Sequence, residues 1–283
     1  MLVPEIPAKA SQTPAARRLG RTGPHLPCVG LGTWRRFDLP AGREHLAREI
    51  VALALAHGVR VFDTAPVYGR SEEVLARALG AARQQAFVAT KIWADGPARG
   101  RRQFENQLRL FDGRVDLLQL HHVIGWRNHT DWLQQERERG RIGRIGLTYW
   151  RDHAFGGGTA ADLEQAMRTG VYDTVQIPLN PRERAVEQRI LPLARELGIG
   201  VLVMRPFAEG GLLNRTPDPR RLAAAAGCTD ASEALLRWGL SDERVHVTLP
   251  ATLDPAHLLA NVAAGAAPPL TADQRTALAE LFV

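Results

Sequence analysis

Apolar positions along this chain alternate between two rhythms. Short, nearly continuous apolar runs recur as CVGLG (28–32), VRVFD (59–63), AFVATK (86–91), VDLLQLHH (115–122), IGRIGLT (142–148), YDTVQIP (172–178), GIGVLVMR (198–205) and VHVTLP (245–250). Their length and their wealth of Val, Ile and Leu predict strands buried on both faces. Among them lie stretches whose apolar residues fall three and four apart: REHLAREIVALALAHG (43–58), SEEVLARALG (71–80), RRQFENQLRLF (101–111), TDWLQQERERG (130–140), AADLEQAMRTG (160–170) and EQRILPLARELG (187–198). That spacing gathers them on one stripe of a helix.

Strands alternating with helices build parallel βαβ units, and eight strands in a chain of this length close into a barrel rather than an open doubly wound sheet. The expected fold is α/β, an eight-stranded parallel (β/α)8 TIM barrel. Ahead of its first strand, RRLGRTGPHLP (17–27) is broken by Gly and Pro and predicts a short β-hairpin. Residues 1–16, rich in Pro and Ala and aperiodic, read as a flexible arm, and residues 17–283 as one barrel domain. An open dinucleotide-binding sheet would show GxGxxG after its first strand; GLGTW (30–34) lacks it, although Asp63 fits the acid such a sheet carries after its second.

Composition narrows the function classes. With 283 residues, 45% of them hydrophobic, the chain has material for a large core. No run approaches the roughly 18 apolar residues of a membrane span, and the opening lacks the apolar segment of a signal peptide. Arg17 and Arg18 lead into a polar stretch and read as surface charge, so a cytoplasmic protein without membrane contact is expected. The net charge is +6, but the arginines are dispersed and form no basic block interleaved with aromatics, which argues against nucleic acid and suits a phosphate-bearing small molecule. Cys28 and Cys228 sit in no metal or disulfide pattern and read as small packed residues. No partner-binding extension is visible, and a monomer or weak oligomer is expected.

In a TIM barrel, chemistry sits at the C-terminal ends of the strands. The second run closes with Asp63 and leads to Tyr68; the third closes with Lys91 and the fourth with His121. Singly, Asp63 reads as a turn cap, Tyr68 as a loop aromatic and His121 as a packed ring. Lys91 is harder to dismiss, because only two of the 36 basic residues are lysines, the other being Lys9. A purely ionic role could have gone to arginine, whereas a perturbable amine could not. Together, a lysine ammonium near a phenol favours the phenolate, Asp63 holds the ammonium, and His121 orients a substrate oxygen or shares in proton delivery. Such a set can protonate an oxygen on which negative charge develops, as carbonyl reduction by hydride requires.

These residues carry a family resemblance. LGRTG with GLGTW, FDTAPVYGRSEEVLARAL, AFVATK and DLLQLHH, in this order, resemble the aldo-keto reductases, NAD(P)H-dependent (β/α)8 enzymes, over about Leu19 to Asn261. The resemblance implies Asp63, Tyr68, Lys91 and His121 as a catalytic tetrad with Tyr68 as the acid and a small carbonyl compound as substrate. It further implies cofactor contacts from Gly32, Thr33, Trp34, Asp63, Thr148 and Gln176, the last holding the nicotinamide carboxamide. VLVMRPFAEGGLL (201–213) would add Met204, Arg205, Pro206, Phe207 and Gly210, with Arg205 pairing with the pyrophosphate. LPATLDPAHLLANV (249–262) would add Thr252, His257 and Asn261 at the adenosine end.

The chain departs from the family pattern in places. Tyr149 replaces the usual asparagine, Met204 stands where an aromatic commonly stacks on the nicotinamide, and Ala251 and His257 replace the frequent lysine and arginine at the 2′-phosphate. Family habit favours NADPH, and the altered phosphate region leaves NADH open. For the substrate, Trp34, Trp93 and Trp126 follow strands closely enough to line one mouth with Tyr68 and His121, an apolar wall suited to aldehydes and ketones; packing is an equal reading for Trp126. Two rival functions stand beside the reductase. One is a cofactor-sensing regulatory protein with vestigial reductase activity, like the family's channel-associated β subunits; the other is an aldolase or isomerase using Lys91 as a Schiff-base amine.

Overall fold

The structure, a computed structural model, describes residues 13–214 and 218–282; residues 1–12 of the expected arm lie outside the described residues. Strands β1 (Ala16–Arg18) and β2 (His25–Pro27) form an antiparallel hairpin. The parallel strands that follow are β3 (Leu31–Gly32), β4 (Val61–Asp63), β5 (Phe87–Ile92), β6 (Val115–Leu120), β7 (Ile142–Thr148), β8 (Thr174–Pro178), β9 (Gly200–Met204) and β10 (Val247–Thr248). Among the described residues these eight pair in chain order, and a parallel bridge from Val29 to Thr248 joins the last to the first. The Gly30 N–H donates to the Thr248 carbonyl at 2.9 Å and the Gly32 N–H to that of Pro250 at 2.9 Å, so the sheet closes into the expected barrel.

The helices α1 (Glu44–Ala56), α2 (Ser71–Leu79), α3 (Pro97–Leu110), α4 (Trp126–Glu138), α5 (Ala160–Met167) and α6 (Ile190–Leu197) fall on the amphipathic stretches. Helix α3 begins earlier than its apolar stripe because Pro97, lacking an N–H, fits the first turn. Among the described residues, the span between β9 and β10 holds three α-helices that the periodicity did not mark: α7 (Gly211–Asn214), α8 (Pro219–Ala225) and α9 (Ala231–Leu240). Two of them are only four and seven residues long, too short to show a period. Helices α10 (Pro255–Ala266) and α11 (Ala272–Glu280) finish the chain. No helix among the described residues is long and apolar enough to cross a membrane.

Strand alternation sorts the side chains into two cores. Outward residues such as Phe62, Val88, Leu118, Ile145 and Val201 join the helices in the large shell core. Inward residues Val61, Ala89, Leu117, Leu202 and Val247 form a separate core with Leu19 and Leu26 of the hairpin. The Arg21 N–H donates to the Gly198 carbonyl at 2.8 Å, placing the hairpin at the N-terminal ends of the strands. Arg17, expected as surface charge, donates to the Val245 and Leu240 carbonyls, each at 2.6 Å, and anchors this plug. The Ala15 N–H donates to the Gly265 carbonyl at 3.0 Å, and Ala16 pairs with Pro27. With one end of the barrel sealed by leucines, the other is left for chemistry.

Candidate active site

One inward step above the apolar layer, period-two alternation must place Asp63, Lys91, Gln119 and Gln176 inside the barrel. Lys91 Nζ donates to Asp63 Oδ1 at 2.9 Å, to Asp63 Oδ2 at 2.7 Å and to the Thr64 carbonyl at 2.8 Å. Asp63 Oδ1 also accepts from Gln176 Nε2 at 3.0 Å and Gln119 Nε2 at 3.3 Å. Lys91 is 1% exposed, so its charge persists only because the carboxylate and a carbonyl replace water. Burial works to lower its pKa, but Asp63, aided by Tyr68, outweighs it and holds the ammonium above its ordinary value.

Tyr68 is carried over this pair by the loop between β4 and α2. Ser71 donates to the Tyr68 carbonyl through its N–H at 3.2 Å and its hydroxyl at 2.7 Å. Gly69, at φ +62°, lies so close to Asp38 that a Cβ would sit 2.3 Å from its Oδ1, and the Arg70 N–H donates to that oxygen at 3.0 Å. Arg70 also pairs with Glu44 at 2.8 Å, which fixes the loop to α1. Lys91 Nζ stands 5.1 Å from the centroid of the half-buried Tyr68 ring. The expectation that lysine brings the phenol's pKa down needs correction. Desolvation pushes it up, Lys91 opposes this and Asp63 adds to it, so the net direction is upward. A lysine already neutralised by a carboxylate cannot overcome the loss of water around the hydroxyl.

His121 follows β6 in its alternation and meets Tyr68 edge-on at 6.1 Å between ring centroids. Burial, then Lys91, then His122 hold its pKa well below the ordinary value, so the ring is neutral at neutral pH. His122, not singled out in the sequence, belongs to the same cluster. Its ring stacks on His121 at 4.3 Å, and burial with Lys91 lowers its pKa to about 4. Its backbone is left-handed, at φ +51°, held by its N–H on Thr148 Oγ1 at 2.8 Å and by its carbonyl on the Gly158 N–H at 2.9 Å. Phe155, also overlooked, stacks on the far face of this pair's outer ring, 5.4 Å from His122. The signal for both existed only as two adjacent histidines and a lone aromatic in a glycine-rich loop.

Of the expected pocket residues, Trp93 lies edge-on to His121 at 5.4 Å, and Trp34 tilts against Tyr68 at 6.5 Å. Trp126 is buried in the shell core with the Arg127 guanidinium 4.2 Å from its ring, which supports the packing alternative.

The expected cofactor residues divide. Gln176 Oε1 and Thr33 Oγ1 are buried and without a partner among the described residues, as befits groups awaiting a ligand. Gly32, at the end of β3, is buried beside Thr33. Thr148 spends its hydroxyl as acceptor for His122, and the Tyr149 hydroxyl donates to Asp152 at 2.8 Å rather than standing in for an asparagine amide. Met204 ends β9 partly exposed, ahead of a turn through Pro206, Phe207 and Gly210. Arg205 is engaged already. It pairs with Glu183 at 3.2 Å and with Glu209, and its guanidinium lies 4.6 Å from the Trp150 ring centroid. At the adenosine end, Thr252 Oγ1 accepts from the Asp254 N–H at 2.9 Å, Asp254 caps α10, His257 is exposed, and Asn261 is buried on that helix.

The model of the Aldo/keto reductase family matches residues 28–282, beyond the Asn261 at which the motif likeness ends. An uncharacterized oxidoreductase, YrpG, of Bacillus subtilis (strain 168) is 30% identical over 244 residues, covering 76% of this chain and 72% of its own length. An aldo-keto reductase of Mycobacterium sp. (strain KMS) is 29% identical over 256 residues, 84% of this chain and 83% of its own. The crystal structure of an aldo-keto reductase from Klebsiella pneumoniae in complex with NADPH superposes with a TM-score of 0.79 at 23% identity, covering 96% of this chain and 95% of that one. With the family model spanning nearly the whole barrel, this chain belongs to the aldo/keto reductase family.

Proposed function

We propose that the chain is an NADPH-dependent oxidoreductase reducing aldehydes and ketones to alcohols, with NADH as the alternative donor and Tyr68 as the general acid. The observation that carries this reading is the buried Lys91–Asp63 pair beneath the Tyr68 ring. The nicotinamide end of a dinucleotide fits the residues present: among the described residues Gln176 Oε1 is an unpartnered acceptor for a carboxamide N–H, and Thr33 Oγ1 is a second unpartnered oxygen. When bound, the reduced nicotinamide supplies the hydride that a carbonyl carbon accepts. The pyrophosphate end fits less directly, since Arg205 is held by Glu183 and Glu209 and must leave at least one of them to meet a phosphate.

The chain's own residues then divide the work. Tyr68 keeps its proton through the neutral range because desolvation raises its pKa, and a forming alkoxide is a far stronger base than a phenolate, so the proton moves outward as charge develops. Lys91, held cationic by Asp63, stabilises the phenolate left behind. His121 is neutral and orients the carbonyl oxygen without supplying the proton. The same cationic Lys91 disfavours the Schiff-base reading, which needs a free amine. Tyr68→Phe tests the proposal. Turnover of a model aldehyde should fall at least about 10²-fold, while NADPH still quenches tryptophan fluorescence at parental affinity. Turnover at the parental rate would refute the role given to Tyr68.

A further inference from the structure

Asp63 and Lys91 fix one another, and Tyr68 rides on a loop tied to α1. His121 is held differently. An imidazole that serves a substrate with one nitrogen is ordinarily aimed through the other, but Nδ1 of His121 is buried and has no partner among the described residues. The attitude of the ring therefore comes from packing. His122 covers one of its faces, at 4.3 Å between centroids and 26° between planes, while Tyr68 and Trp93 stand edge-on at 6.1 and 5.4 Å.

That stack does not follow from adjacency. Neighbouring residues of a strand point to opposite faces, so their rings meet only where the backbone is bent to bring them together. His122, at φ +51°, and Val123, at φ +60°, are both left-handed. For a buried, β-branched residue such as Val123 this is a rare and costly conformation. The surroundings impose it. The His122 N–H donates to Thr148 Oγ1 at 2.8 Å, and the His122 carbonyl accepts from the Gly158 N–H at 2.9 Å. Gly157 passes so close that a Cβ there would sit 2.4 Å from the same carbonyl oxygen. Strain of this kind persists only where it is over-determined, and it gathers at functional sites. What it yields here is the His122 ring laid on His121. Phe155 closes the other face of His122 at 5.4 Å, and Trp150 packs on Phe155 at 5.9 Å.

We propose that His122 is a positioning residue for the reaction, its ring backed by Phe155 and laid on His121 so that the imidazole keeps the attitude in which it meets the carbonyl oxygen. The inference rests on the reductase reading above. In this role His122 touches neither substrate nor cofactor, and its removal acts through His121. What the stack asks of position 122 is a flat ring rather than a nitrogen.

The test follows reduction of benzaldehyde and hexanal, with NADPH and with NADH, in the parent, His122→Asn, His122→Phe, His121→Ala and the double variant His121→Ala/His122→Asn. NADPH affinity from tryptophan fluorescence and urea unfolding are measured alongside. Asparagine tolerates a left-handed backbone, so His122→Asn removes the ring and keeps the turn; Phe155, at φ +52°, shows that phenylalanine adopts the same conformation. His122→Asn should lose roughly ten- to a hundredfold in kcat, as a misaimed group does, with NADPH affinity kept. His122→Phe should recover most of that loss. On top of His121→Ala, His122→Asn should cost less than about twofold, because the residue it acts through is gone. If losing the ring loosens the fold, His122→Phe decides alone, since it keeps the volume and the stack and drops both nitrogens. Parental kcat in His122→Asn, no recovery in His122→Phe, or full additivity with His121→Ala would overturn the inference and leave the reductase reading intact; no turnover of either aldehyde by the parent would sink both.

Discussion

Replacing Glu72 by glutamine should stabilise this protein, and only above a defined pH. Glu72 lies near the start of α2 and is 5% exposed, facing β5 and α3 one layer behind Lys91. Its Oε1 accepts from Thr90 Oγ1 at 2.5 Å and from Gln107 Nε2 at 3.0 Å, and Gln107 Nε2 also donates to the Lys91 carbonyl at 2.8 Å. Desolvation dominates these bonds and the attraction of Lys91, with Glu73 adding repulsion, and raises the carboxyl from 4.5 to about 7. The folded state therefore keeps a proton that the unfolded chain has lost, so stability declines as pH rises from about 4.5 through 7. At about 1.4 kcal/mol per pH unit, the decline comes to about 3 kcal/mol.

Glu72→Gln abolishes that dependence while keeping the acceptor oxygen, and its new amide can donate to Gln107 Oε1, which is buried and has no partner among the described residues. His122 acts in the opposite sense. With its pKa lowered to about 4, it withdraws stability as pH falls through 6.5 toward 4, in parent and variant alike. Only the difference between the two proteins isolates Glu72. Urea unfolding at pH 4.5, 6 and 8.5 should show the variant level with the parent at the first and about 3 kcal/mol more stable at the last. A difference that does not change with pH, or a parent that is the more stable at pH 8.5, would refute the assignment of a buried proton to Glu72.

Two further outcomes follow from the ion pairs. Lys91→Met strands the Asp63 carboxylate at a site that is 6% exposed and should cost about 3–5 kcal/mol in urea unfolding; adding Asp63→Asn should recover most of it, because no buried charge remains. Glu209→Gln releases Arg205 from one of its two carboxylates and should tighten NADPH binding severalfold by fluorescence titration, with a steeper salt dependence; unchanged affinity would place the pyrophosphate away from Arg205.

The strands, the barrel and the order Asp63, Tyr68, Lys91, His121 are legible in the chain because they obey local rules. A run of β-branched residues specifies a strand within a few positions, and period-two alternation carries Val61 to Asp63 and Ala89 to Lys91 on the same inner face. The helices after β9 are less legible because two of them, α7 and α8, are only four and seven residues long, too short to show a period. What depends on closure could not be read at all. That Gln176 and Gln119 converge on Asp63 requires strands β4, β6 and β8 to curl toward one axis. Arg205 meets Glu183 and Glu209, and His122 meets Phe155, only once loops from different strands crowd one rim. The upward pull on Tyr68 likewise follows from desolvation, a sum over neighbours distant in the chain. Residue order determines which chemical groups reach the rim; the closed barrel decides which of them touch, because contact and loss of water belong to three-dimensional neighbours rather than sequential ones.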